Sequence, residues 1–497
     1  MPFEADDGSK AGGAAARAAL IEKQRGRPGQ TLLLDGGDVF QGTPYFNFFR
    51  GVPDYRAMSL MRYDEGVLGN HDLDDGPAAW LRARAHAEFE ILSANVFAAA
   101  ESSWTKPGDD VPASDRRGAR WIGGKKVPDK APLRYLTRPF VIRDLGAGRT
   151  VALFGLTTAE LTHIVAVAPN AGVAVADPVS IAARIVPELR RKADVVICLS
   201  HLGLDADRAL ATRVPGIDVI IGGHSHTRLN RPVLVRNATP NGYHGTVVAQ
   251  AGYRGEFLGR TVLYFKDGRV ARYSGQLLRV RPADGEDPRV EALLRPYADS
   301  IEATTSQTVF RSPARVPSSG LRGGEAPIGN FVADVIRETA GADIALINSG
   351  GIRAAIPAGA VTLGDVYATL PFDNRIVVVS MPGWRVRELL DFSGSRIGKG
   401  GFCQVSGVKF VVRGDRAGYI RVDGTPLESD RVYRVATVDY LYEGGDGYTA
   451  FAKAGPAERT GVLLRDAAVQ FLKRHPDYRF QKEGRIVWEG SSHLRMR

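Results

Sequence analysis

Short apolar runs alternate with helix-period stretches through residues 1–280. Thr31-Leu-Leu-Leu, Phe140-Val-Ile-Arg, Thr150-Val-Ala-Leu-Phe-Gly-Leu, Asp194-Val-Val-Ile-Cys-Leu, Gly216-Ile-Asp-Val-Ile-Ile and Thr246-Val-Val-Ala-Gln read as strands. Between them, Lys10 to Lys23, Ala78–Ala87 and Pro178–Arg191 read as helices, the first because it is rich in alanine. Pro187 predicts a bend or a division in the last of these. Such alternation is the signature of an α/β layered domain. Glu101–Lys130, with Trp104, several Gly and Pro and mixed charge, reads as a long surface excursion.

The pattern changes near Asp284–Thr305. Asp287 to Glu302 reads as a connecting helix, interrupted or bent at Pro296. Beyond it, Asp343–Asn348, Arg375–Met381 and Arg431–Val438 predict strands, and Asn330–Thr339, Trp384–Phe392 and Arg465–Lys473 predict helices. The expected organisation is an α/β domain over 1–285, a linker helix or hinge over 286–305, and an α+β domain over 306–497.

The length of 497 residues calls for more than one domain, in line with that division. No apolar run reaches the ~18 residues of a membrane span, so no transmembrane segment is expected. Met1 is soon followed by acidic residues, and no signal peptide is visible. Two cysteines far apart, Cys198 and Cys403, exclude a disulfide framework, and Cys198 inside its apolar strand reads as a small buried hydrophobe. A net charge of +10 suits anionic substrates; the basic residues are scattered without a Lys/Arg block among aromatics, so no specific nucleic-acid surface is expected.

The candidate chemistry lies at the ends of the predicted strands. Gly-Gly-Asp-Val-Phe-Gln-Gly-Thr-Pro lies at 36–44, Gly-Asn-His-Asp at 69–72, Ser-His-Leu-Gly at 200–203 and Gly-Gly-His-Ser-His at 222–226. Parallel sheets gather the carboxyl ends of their strands along one edge, so Asp38, Asn70, His201, His224 and His226 can converge there. One carboxylate, one amide oxygen and three imidazoles suit divalent ions such as Zn or Mn.

With these four segments in order, the chain resembles the calcineurin-like metallophosphoesterases and, within them, the bacterial 5′-nucleotidase family. The resemblance implies an α/β sandwich over the first domain and two divalent metal ions, Zn or Mn. Asp38 would bridge them, Asn70, His201 and His224 would complete one site, and His226 would belong to the other. His71 would contact the phosphate, oriented by Asp74. The family's Asp-x-His pair on the first strand has no match before Asp38, so the expectation is either an N-terminally incomplete domain that lacks this central strand or a degraded first metal site. Asp6 and Asp7 could lie near the site, though their spacing reads as a solvated acidic turn.

The second domain extends the resemblance through Asn348-Ser-Gly-Gly-Ile-Arg353, Pro371-Phe-Asp-Asn374, Thr437-Val-Asp-Tyr440 and Gly444-Gly-Asp-Gly-Tyr448. It implies a nucleotide-binding α+β domain. There Phe372 and Tyr440 would stack on a nucleobase, Asn374 would touch its edge, and Asp446 would accept from the ribose hydroxyls. Arg322 and Arg353 would hold the anion; a further family arginine is Ser318 here, with Arg315 as a substitute. The implied activity is hydrolysis of nucleoside 5′-monophosphates by a periplasmic or extracellular enzyme. A 2′,3′-cyclic-nucleotide phosphodiesterase with 3′-nucleotidase activity, a nucleotide-sugar pyrophosphatase and a non-catalytic nucleotide-binding relic remain alternatives.

Overall fold

The computed structural model describes residues 2–4, 9–27, 29–102, 111–146, 148–165, 170–237, 245–266 and 269–488. Asp6, Asp7 and Trp104 lie outside them. The chain forms two compact units, one of residues 1–41 and 49–298, the other of residues 42–48 and 299–497. No helix among the described residues is long and apolar enough to cross a membrane.

The first unit is built on a six-stranded sheet. Its order is Val233–Val235, Thr246–Gln250, Val219–Gly222, Val195–His201, Thr150–Thr157, Phe140–Asp144, with a parallel core of four strands and an antiparallel strand at each edge. Register pairs Thr157 with His201, Ser200 with Gly222, and Gly222 with Gln250, so the carboxyl ends of the parallel strands are level. A second, parallel sheet joins Leu34–Asp35, Glu65–Val67 and Glu90–Leu92. The Thr157 hydroxyl donates to the Leu68 carbonyl (2.8 Å) and Ala94 N donates to Gly155 O (2.8 Å). These bonds tie the carboxyl ends of the two sheets together. Val67 and Leu92 share one apolar core with Val151, Leu153, Ile197 and Leu199. On the opposite face the helix Pro178–Lys192 buries Ile181, Ile185 and Leu189 at helical spacing.

The second unit centres on a five-stranded sheet in the order Cys403–Ser406, Ile344–Asn348, Val432–Val438, Arg375–Pro382, Glu458–Leu463. Ile344–Asn348 and Val432–Val438 run parallel, so Asn348 and Val438 end on one side. The helices Pro327–Ala340 and Leu464–Arg474 join its core through Phe331 and Phe471, whose ring centroids are 5.9 Å apart.

Several local expectations give way to tertiary packing. Lys10–Gly12 is a strand paired with Pro2–Glu4, and the alanine-rich helix starts only at Ala14, after Gly13 at φ 96°. Pro187 and Pro296 sit inside single helices, Pro178–Lys192 and Pro288–Thr305. For Pro187 the buried row of Ile181, Ile185, Val186 and Leu189 offsets the lost backbone bond. The first apolar run supplies only a two-residue strand, Leu34–Asp35. The helix begun at Pro77 stops at Arg84. The segment 101–130 is more than a surface excursion: Val111, Ala119, Ile122 and Val127 are buried, and Arg120–Trp121 pairs with Val173–Val175. Both cysteines are buried and free.

Candidate functional site

The first unit's site is assembled by loops leaving the carboxyl ends of both sheets. Asp38 follows Leu34–Asp35, Asn70 and His71 follow Glu65–Val67, His201 ends its own strand, and His224 follows Val219–Gly222. Asp38 and His224 hold left-handed backbones at φ 58° and 68°, as do Gln41 at 76° and His226 at 56°. Non-glycine residues avoid this region, and its concentration here marks a functional loop cluster rather than a stability-optimised one. Gly69 makes the approach possible: a Cβ there would stand 2.2 Å from Asp38 Oδ1 and 2.3 Å from Asp38 N.

Asp38, His201 and His224 bring their ligand atoms within 4.8 Å of one another, the one such group of acids, histidines or cysteines among the described residues. His201 Nε2 lies 3.0 Å from Asp38 Oδ2 and 3.2 Å from Asn70 Oδ1; His224 Nδ1 lies 3.0 Å from the same Asn70 oxygen. The outer nitrogens fix the tautomers. His201 Nδ1 is 2.6 Å from the Gly36 carbonyl, which can only accept, so Nδ1 carries the hydrogen. His224 Nε2 is 3.3 Å from the Glu160 carboxylate, with the same consequence. His201 Nε2 and His224 Nδ1 are the ring nitrogens turned toward the Asp38 and Asn70 oxygens. The donor set of carboxylate, amide oxygen and two imidazoles fits a divalent metal ion.

The electrostatics agree. Burial alone would raise the Asp38 carboxyl, but the His201 and His71 imidazoles outweigh it and hold it well below the usual carboxylate range. Burial would lower the His201 imidazole, and the Asp38 carboxylate beside it reverses this to raise it. Asp72, which sequence reading passed over, is buried and binds the loops together: it accepts from Val39 N, Phe40 N and Gly69 N. Burial and the neighbouring Asp38 charge push it up to about 7. Its signal was its place inside Gly-Asn-His-Asp.

His71 donates its backbone N–H to Asp38 Oδ1 (2.8 Å), and its Nδ1 lies 2.8 Å from Asp74 Oδ2. His226 is not in the converging group; its ring stacks on Tyr253 at 5.1 Å between centroids and 7° between planes.

One buried acid beneath the site gives a pH prediction. Asp207, on the helix Leu204–Arg213, accepts from the Ser200 hydroxyl, and burial pushes it up to about 7. The unfolded carboxyl titrates near ~3.9, so the stability this group contributes is complete below that pH and is lost as pH rises through about 7. Asp207→Asn keeps the acceptor and removes the charge. In chelator, the fall in unfolding free energy between pH 5 and pH 8 should shrink by about 2–4 kcal/mol in the variant. Denaturant midpoints at both pH values test this; parallel pH curves would refute it.

The second unit gathers its predicted residues on the side where Asn348 and Val438 end. Asn348 Nδ2 donates to Asp446 Oδ2 (2.8 Å), and Asp446 N donates to the Tyr440 hydroxyl (3.1 Å). Asp446 is itself left-handed, at φ 54°. The Arg353 guanidinium stands 6.0 Å from the centroid of Phe372. Asn374 precedes the strand Arg375–Pro382, and its carbonyl accepts from Leu464 N (2.9 Å). Arg322 is exposed, its carbonyl accepting from Gly398 N (2.8 Å). Sequence reading gave no role to Arg396, whose Nε would lie 3.2 Å from a Cβ on Gly401, itself 3.1 Å from Asp446 Cβ. It also gave none to Arg465, which ion-pairs with Asp373 and fixes the turn that carries Phe372.

A two-sheet fold with this loop cluster defines a metallophosphoesterase. Residues 10–228 match the calcineurin-like phosphoesterase family, and residues 302–453 match the 5′-nucleotidase C-terminal domain family. The structure of a 5′-nucleotidase precursor from Thermus thermophilus is similar at a TM-score of 0.86 and 32% identity, covering 99% of this chain and 96% of that one. The trifunctional nucleotide phosphoesterase YfkN of Bacillus subtilis is 31% identical over 93% of this chain, which spans 33% of its length. A 5′-nucleotidase of Vibrio cholerae is 27% identical, over 96% of this chain and 89% of its own. The chain belongs to the 5′-nucleotidase family of calcineurin-like phosphoesterases, which are phosphoric ester hydrolases.

Proposed function

We propose that this chain hydrolyses nucleoside 5′-monophosphates to nucleoside and phosphate, with divalent metal ions held by Asp38, Asn70, His201 and His224. The observation that carries this reading is the convergence of the Asp38 carboxylate, the Asn70 amide oxygen and the His201 and His224 imidazoles, with the outer nitrogen of each ring already engaged. A second metal position would draw on Asp38 and His226. Bound ions would supply Lewis acidity at the phosphoryl oxygens and acidify a water.

The chain's own groups do the rest. His71, with Nδ1 hydrogen-bonded to Asp74, offers Nε2 to a phosphoryl oxygen and stabilises charge that grows in the transition state. In the second unit, Phe372 and Tyr440 hold the base by their faces, Asn374 meets its edge, Asp446 accepts from the ribose, and Arg322 and Arg353 receive the anion. The Asn348–Asp446–Tyr440 bonds support this reading, since they hold the ribose acceptor and one aromatic in fixed relation. Action outside the cytoplasm belongs to the same reading and rests on family likeness alone.

Phosphate release from adenosine 5′-monophosphate in Mn²⁺, with a chelator control, tests the proposal. Chelator-sensitive release is expected. Turnover confined to 2′,3′-cyclic or sugar nucleotides would replace the substrate, and tight nucleotide binding without turnover would replace catalysis by binding. Phe372→Ala should lower kcat/KM for the nucleotide about 10–100-fold, the worth of one base–aromatic stack. It should change turnover of 4-nitrophenyl phosphate by less than about threefold; equal losses on both substrates would refute stacking.

A further inference from the structure

We propose that Gln41 is a positioning residue for His71, acting through Asp74; this rests on the role given above to the His71–Asp74 pair. Gln41 Nε2 lies 2.8 Å from Asp74 Oδ2, the same oxygen that lies 2.8 Å from His71 Nδ1. An ionised carboxylate only accepts, so the amide must turn its NH₂ toward Asp74. Oδ2 thus receives two hydrogens, from Gln41 Nε2 and His71 Nδ1. The first fixes where the carboxylate stands; the second fixes the imidazole tautomer and leaves Nε2 as the working atom.

Gln41 holds this post at a cost to the fold. Its backbone is left-handed at φ 76°, and its Oε1 is buried without a hydrogen-bond partner. A strained backbone and an orphaned amide oxygen do not favour glutamine for packing, whereas the donor to Asp74 does. The spacing adds a reason: Gln41 stands three residues beyond Asp38 on one loop, so the loop that carries a metal ligand also fixes the phosphate-contacting histidine.

A double-mutant cycle on nucleotide hydrolysis tests this, with Mn²⁺ affinity measured by calorimetry. Gln41→Met should lower kcat on the order of tenfold with KM within about threefold, and should leave Mn²⁺ affinity unchanged. In an Asp74→Ala background the same change should cost less than about threefold, because the pathway is already cut. Gln41→Leu removes the same donor with a different apolar shape; it should melt like Gln41→Met and lose a similar share of kcat. Wild-type kcat in Gln41→Met or Gln41→Leu, an undiminished Gln41→Met loss without Asp74, or lost Mn²⁺ affinity would each overturn the proposal. Wild-type kcat in both His71→Ala and Asp74→Ala would instead remove the reading it rests on.

Discussion

Asp38→Ala is expected to end metal-dependent phosphate release, with a loss of at least about 10³-fold in kcat, or ~4 kcal/mol of barrier. Asp38 supplies the anionic oxygen of the converging group, 3.0 Å from His201 Nε2. Its other oxygen accepts from His71 N, so one truncation removes the proposed ligand and frees the loop that carries His71. The fold should survive, because His201 keeps its bond to the Gly36 carbonyl. Chelator-sensitive release within tenfold of wild type, from a variant with an unchanged melting curve, would sink the assignment of this cluster as the metal centre.

Gly69→Ala is expected to weaken Mn²⁺ binding by more than about tenfold and turnover on the order of 10²-fold, without touching a ligand. The added Cβ would overlap Asp38 at 2.2–2.3 Å. The loops cannot part to admit it cheaply. Asp72 takes Gly69 N on one side and Val39 N and Phe40 N on the other, and Asp38 Oδ1 is held by His71 N. Relief must come from moving Asp38, which displaces the carboxylate of the converging group. Calorimetric Mn²⁺ titration beside turnover checks this. Wild-type values for both would show that the two loops separate without cost.

Much of this architecture was legible because it is written in local patterns. The buried parallel strands announce themselves as unbroken apolar runs, and the residues of the converging group follow them within a few positions, as His201 closes Val195–His201. The second unit was legible in the same way, from Asn348 at a strand end and Asp446 in a glycine-rich turn. Errors fell where local propensity was asked to decide alone. Lys10–Gly12 pairs as a strand although it borders an alanine-rich helix, and Pro187 lies within one helix that it does not divide.

The sequence by itself determined the kinds of atoms available, their order and the sheet edge they share, because strand periodicity and loop composition depend on near neighbours. Only the tertiary structure decided what each atom does. His201 is committed to Nε2 by a carbonyl 165 residues away, Asp74 is fixed by an amide 33 residues upstream, and His226 stacks on Tyr253 outside the converging group. A tautomer, a shared proton or an orphaned oxygen depends on partners that only folding brings within hydrogen-bond reach, and a pattern read along one chain carries no record of them.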